Sequence, residues 1–159
     1  MTVVRVLLSL LFLYLALAWQ SSLSGQGTLL GHRPALPLMF VTLVGLRVGP
    51  RFGALYGFLA GFFEGAAAGA NLSAHVLSRT LIGFTCGFVH GSDLQLRPAV
   101  VAMVATLATV LAQVSLLFMA PPPDIQSFIG ATLGTAIFNG VGAGLLDILV
   151  RRTLDPKVD

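Results

Sequence analysis

The chain has 159 residues, of which 56% are hydrophobic and only 9% charged, with a formal net charge of +3, and its mean hydropathy is +0.92. A water-soluble domain carries roughly 25% charged residues because they coat its surface; this composition cannot coat one, so the apolar surface is expected to face lipid. The basic balance does not point to nucleic acid, since the Lys and Arg residues sit at the ends of apolar runs, where topology-setting charges collect.

In chain order, residues 3–19 form the first apolar run, which at about 1.5 Å of rise per residue crosses most of a roughly 30 Å hydrocarbon core. Arg5 ahead of it and Ala16-Leu17-Ala18 near its end also outline a signal sequence. The run is read as a span because the rest of the chain is itself membrane-spanning. After a Ser/Gly-rich loop, residues 34–46 predict a short or tilted second helix, with Pro34 and Pro37 tolerated in its first turn. Arg47-Val48-Gly49-Pro50-Arg51 is a turn carrying two positive charges. Residues 53–70 and 72–90 predict a third and fourth helix joined by a tight turn at Asn71. Residues 98–119 predict a fifth, stopped by Pro121-Pro122-Pro123, and 127–150 a sixth, ended by Arg151-Arg152. The expected architecture is all-α: a single polytopic membrane domain over 1–159 with about six transmembrane helices.

Six spans put Arg5, Arg47, Arg51, Arg97, Arg151, Arg152 and Lys157 on one side of the bilayer and only Arg33 on the other, with Arg79 inside a span. The positive-inside rule then places both termini in the cytoplasm. An odd number of spans divides the same charges less cleanly.

The third helix carries a glycine at every fourth position: Gly53, Gly57, Gly61, Gly65 and Gly69. Each step of four rotates the position by only about 40°, so these form a slowly drifting stripe on one face. Such a stripe lets a neighbouring backbone come close. Glu64 lies about 20° from Gly53 in projection, on the same face. An ionised carboxylate near mid-membrane needs a partner, and the fourth helix offers His75, Arg79, Gly83 and Gly87 at spacings of four. Counted from Asn71, Glu64 is seven residues back and Arg79 eight forward, so an antiparallel hairpin sets them at nearly equal depth. We therefore expect a Glu64–Arg79 intramembrane ion pair, structural or functional, with His75 one turn nearer the outer surface. Gly130, Gly134, Gly140, Gly142 and Gly144 give the sixth helix a second small-residue surface. Gln113 and Asn139 are expected to make interhelical hydrogen bonds, and Asp147 to pair with Arg151 one turn away.

The chain contains no phosphate-binding loop, H-E-x-x-H, G-x-S-x-G or cysteine cluster. His32, His75 and His90 fall at separate places, so no metal site, cofactor or enzymatic activity is expected. The single cysteine, Cys86, reads as a small buried hydrophobe.

The stretch from Gly49 to Gly91 resembles the core of the rod shape-determining MreD family, on residues that run from Arg47 to Phe84. It carries Gly53-Ala54-Leu55-Tyr56-Gly57-Phe58-Leu59-Ala60-Gly61-Phe62-Phe63-Glu64, a small-residue turn, and a helix beginning near His75. Glu64 stands where Asp is commoner in the family, and Ser73-Ala74 lacks a glycine often found before the histidine. The resemblance implies a non-enzymatic scaffold of the bacterial elongation machinery for cell shape and lateral peptidoglycan synthesis, in the cytoplasmic membrane. It implies MreC as the direct partner, with MreB, RodA and a class B penicillin-binding protein reached through the complex. The glycine faces of the third and sixth helices are then possible seats for a partner's transmembrane helix, the alternative being packing within the chain. A second reading, from another class, is the substrate-binding membrane subunit of an energy-coupling-factor vitamin transporter, which MreD-like proteins resemble in fold.

Overall fold

The computed structural model describes residues 3–22, 34–91 and 97–154. Among them the chain is all-helical: α1 (Val3–Ser22), α2 (Leu36–Val48), α3 (Pro50–Ala68), α4 (Leu72–Cys86) continued by one 3₁₀ turn (Gly87–Val89), α5 (Pro98–Met119) and α6 (Ile125–Leu154). His32, Arg33 and Lys157 lie outside the described residues. Among the described residues three segments are long and apolar enough to cross a membrane: Leu72–Val89, Pro98–Met119 and Ile125–Leu149. The protein is a membrane protein, and its surface says the same. Leu77, Leu81, Phe84 and Phe88 on α4 point outward, as do Met103, Leu107 and Leu111 on α5 and Ile129, Leu133, Ile137, Val141 and Leu145 on α6. Meanwhile Thr42, Ser78, Arg79, Thr109, Asn139 and Asp147 are buried. Polar inside and apolar outside is the pattern a lipid solvent selects.

The centre of the bundle is α2, which packs against each of the other five helices. Apart from Thr42 and Arg47 its 13 residues are apolar or small, with Leu38, Val41, Val44 and Leu46 buried. A helix hydrophobic all round belongs in a core. At about 20 Å it is shorter than the roughly 30 Å hydrocarbon core. Leu38 packs with Ile82, Cys86 and Ala108, Val41 and Val44 with Leu13 and Tyr56, and Leu46 with Val101 and Ala143. Cys86 is thus core.

The hinge between α2 and α3 is narrower than the five-residue turn expected. Gly49 alone breaks the helix, at φ +103°, a conformation that a side chain strains. Pro50 then opens α3 at its first position, where the missing N–H costs no hydrogen bond.

The two most extensive contacts are α3 with α4 and α5 with α6. Gly53, Gly57, Gly61 and Gly65 all lie against α4. A Cβ added at Gly53 would collide with the Gly83 carbonyl, at Gly57 with the Arg79 carbonyl, and at Gly61 with the His75 carbonyl and the Val76 Cα. Gly83 in turn meets the Gly53 carbonyl, and Gly87 meets Pro50. Of the two readings of these glycines, packing within the chain or a seat for a partner, the structure shows the first at Gly53, Gly57, Gly61 and Gly65 and at Gly83 and Gly87, because backbone of the same chain occupies that face. Gly69 drops out of the stripe. It is the left-handed cap of α3, at φ +65°, and a Cβ added there would meet nothing within 4 Å among the described residues. On α6, Gly140 and Gly144 pack on α5 around Thr106 and Ala102, and Gly142 meets Met39 of α2. Gly130 faces open space and Gly134 is half-buried.

Candidate functional site: a polar cluster in the α3–α4 hairpin

The turn between α3 and α4 needs two left-handed residues, Gly69 and Asn71, the latter at φ 56°. Asparagine is among the few residues with a side chain that visit this region. The His75 amide donates to the Asn71 carbonyl at 3.1 Å, starting α4 immediately after the turn. With the glycine stripe drawing the backbones together, facing side chains at matching depth must meet.

Glu64 and Arg79 are those side chains. The Arg79 Nε donates to Glu64 Oε2 at 2.7 Å, and the two side chains are 5% and 8% exposed respectively. His75 Nδ1 lies 3.8 Å from the same carboxylate oxygen, within electrostatic reach but beyond hydrogen-bond length. Ser78, also buried, donates to the His75 carbonyl at 3.1 Å and so spends its hydroxyl inside α4. Four residues separate Glu64 from Ala68, so it lies about 6 Å, roughly one turn, from the end of α3.

The pair is hydrogen-bonded through one edge only. Glu64 Oε1 and Arg79 Nη1 are buried and have no hydrogen-bond partner among the described residues. Beside them is a cavity of about 430 Å³, lined by Glu64, His75 and Arg79 together with Ala67 and Ala68 of α3 and Leu17 and Gln20 of α1. Two other cavities are apolar: one of about 650 Å³ between α1 and α3, another of about 240 Å³ where α1 meets α2 and Leu146. Trp19 lines the smaller one and is largely exposed. All three border α1, which packs more lightly on the bundle than its other helices do.

Two further polar contacts hold the bundle together. Asn139, at the centre of α6, accepts the Ala35 amide at 3.0 Å and donates to Thr109 Oγ1 at 3.0 Å. It ties three helices, and it satisfies an orphan N–H at the start of α2 that Ala35 has no side chain to cap. Gln113, expected to play a similar part, makes no hydrogen bond among the described residues. Asp147 is fully buried and ion-paired with Arg47 of α2, whose side chain is about one-third exposed. The side chain of Arg151 lies outside the described residues. The charge count had already put Arg47 and Asp147 at one end of the bundle; only the adjacency of α2 and α6 was missing. At that same end His90 Nδ1 lies 3.2 Å from the Leu46 carbonyl, against Gly49.

Among the described residues no group of three or more His, Cys, Asp or Glu side chains could hold a metal. No protein-family model, curated protein or solved structure matches the chain. The functional reading therefore rests on the hairpin and its chemistry.

Proposed function

We propose that this membrane protein is a six-span, non-enzymatic scaffold of the bacterial rod-shape machinery, held in the cytoplasmic membrane with both termini in the cytoplasm. It works beside MreC and, through it, with MreB, RodA and a class B penicillin-binding protein. The observation that carries this reading is the hairpin sequence from Arg47 to Phe84, where the likeness to MreD-family proteins is concentrated. Its distinctive residues have physical tasks there: the glycines bring α3 and α4 into backbone contact and Glu64 meets Arg79. In support of six spans, α1 and α3 have 20 and 19 residues, close to the roughly 20 a span needs. The seven-to-one division of basic residues supports the orientation.

A scaffold works through its surfaces. With the α3 stripe occupied by α4, the seat for a partner helix moves to the outward faces of α5 and α6 and to the apolar hollow between α1 and α3. A second reading, the substrate-binding subunit of a vitamin transporter, is favoured by the polar cavity beside Glu64 and Arg79. Gentle detergent extraction from the native host, with mass spectrometry of what comes along, separates the two. Recovery of MreC, with or without the wall synthases, supports the scaffold. Recovery of transporter ATPase subunits instead of MreC replaces it with the second reading.

A further inference from the structure

We infer that the apolar hollow between α1 and α3 and the polar cavity beside it form one groove for a membrane lipid whose head carries no net charge. The acyl chain lies in the hollow and the head beside His75. Leu10, Leu13, Tyr14 and Leu17 of α1 line the hollow of about 650 Å³ together with Leu59 and Phe63 of α3. Leu17 and Ala67 line both this hollow and the polar cavity of about 430 Å³, so the two spaces share a wall. Along α1 the lining passes from Leu10 through Leu17 to Gln20, and along α3 from Leu59 through Ala67 to Ala68. The groove therefore runs lengthwise from an apolar end to a polar one, as an amphiphile does. Its polar end is at the right depth. Glu64 lies about 6 Å from the end of α3, and the headgroup zone is about 5–8 Å thick on each side of the hydrocarbon.

Size decides between an acyl chain and a partner's helix. From Leu10 to Ala18 a helix rises about 12 Å, and one about 10–12 Å across with its side chains fills roughly 940–1,360 Å³ over that rise. The hollow offers about 650 Å³. A helix would have to push α1 aside, whereas a chain one methylene wide enters as the groove stands. This leaves the outward faces of α5 and α6 as the seats for a partner's helix. Charge selects the head. Anionic lipids are recognised by clusters of Lys and Arg, but among the described residues lining the cavity Arg79 is the one such cation, and Glu64 cancels it. His75 is the most open of the three, its side chain 22% exposed against 8% and 5% for Glu64 and Arg79. Its ring can donate or accept, and a zwitterionic phosphoethanolamine head offers both an ammonium donor and a phosphate acceptor. The inference needs α1 and α3 to span the bilayer, as in the six-span reading, and is independent of the scaffold role.

The test uses the full chain in nanodiscs doped with phosphatidylethanolamine or phosphatidylglycerol carrying a photoreactive diazirine in one acyl chain, with mass spectrometry locating the labelled residues. Phosphatidylethanolamine is expected to label residues 10–18 and 59–67 at least about threefold more than phosphatidylglycerol does, and by a similar factor above the outward-facing Leu107 and Leu133. Ala67→Trp, at an exposed position where the two spaces meet, should remove that excess. Ala66→Trp, exposed one residue away and lining neither space, should keep it. Unchanged labelling of Leu107 and Leu133 checks that both variants fold. Even labelling of all outward faces, equal labelling by the two lipids, or an excess that survives Ala67→Trp overturns the inference. So does a protein chain that co-purifies from native membranes and shields the hollow from label, which would make the hollow a helix seat after all. Leu11 and Phe58, exposed and lining neither space, read the spans themselves. If they are labelled and the hollow is bare, the inference alone falls; if they stay unlabelled, the six-span reading falls with it.

Discussion

Removing one member of the Glu64–Arg79 pair should cost far more than removing both. Glu64→Ala leaves the Arg79 guanidinium, on a side chain 5% exposed, with no anion; Arg79→Ala leaves a carboxylate 8% exposed facing only His75. Stripping one partner from a buried pair costs about 3–5 kcal/mol, because the remaining charge stays desolvated and uncompensated. The double variant buries no charge, so its loss should be close to that of a single residue rather than of two. The coupling energy should exceed about 2 kcal/mol, well above the roughly 0.3–0.5 kcal/mol scatter of independent sites. Reversible unfolding of the four proteins in mixed dodecylmaltoside–SDS micelles, followed by circular dichroism, measures it. Additive single effects would refute the argument, since they would mean that each charge is compensated separately by water or lipid headgroups.

Further expectations follow from packing, capping and titration. Gly57→Ala should destabilise the hairpin by at least about 1–3 kcal/mol, the usual cost of overpacking, since its Cβ would lie against the backbone of Arg79 and Thr80. Gly130→Ala, in open space, should change stability by less than about 0.5 kcal/mol; equal effects in the same micelle titration would remove the distinction between the two glycine surfaces. Asn139→Leu leaves the Ala35 amide unpaired and should cost about 1–3 kcal/mol, with faster hydrogen exchange at the start of α2 as its local signature. Asp124 accepts hydrogen bonds from the Ser127 hydroxyl and amide and from the Gln126 amide, which hold its carboxyl below the ordinary 3.8. Its folded-state pKa is depressed, so its contribution to the start of α6 is present at neutral pH and fades as pH falls below the ordinary aspartate range. A carboxyl-carbon NMR titration should place its midpoint below 3.8, and Ser127→Ala should move it up.

Much of the molecule was legible in its residues. Apolar runs longer than a bilayer is thick locate α5 and α6 within two residues of their predicted starts, because in lipid a segment must satisfy its own backbone and helix is the local way to do so. The depth match of Glu64 and Arg79 was readable for the same reason: a turn as short as the one at Asn71 fixes the register of both arms. Other features depend on which helices become neighbours. That α4 fills the Gly53–Gly65 face is a matter of packing, since a small-residue stripe invites any backbone equally. That Asp147 meets Arg47, that Asn139 caps α2 from a hundred residues away, and that a short helix survives at the centre of the bundle all require α2 to lie between α3 and α6. The cavity beside Arg79 belongs to the same class. Local sequence determined the spans, the hairpin and its charges, because those follow from helix period and the cost of burying polar groups. Only the tertiary arrangement decided which side chains close against one another and which are left open, because a void is a property of several helices at once.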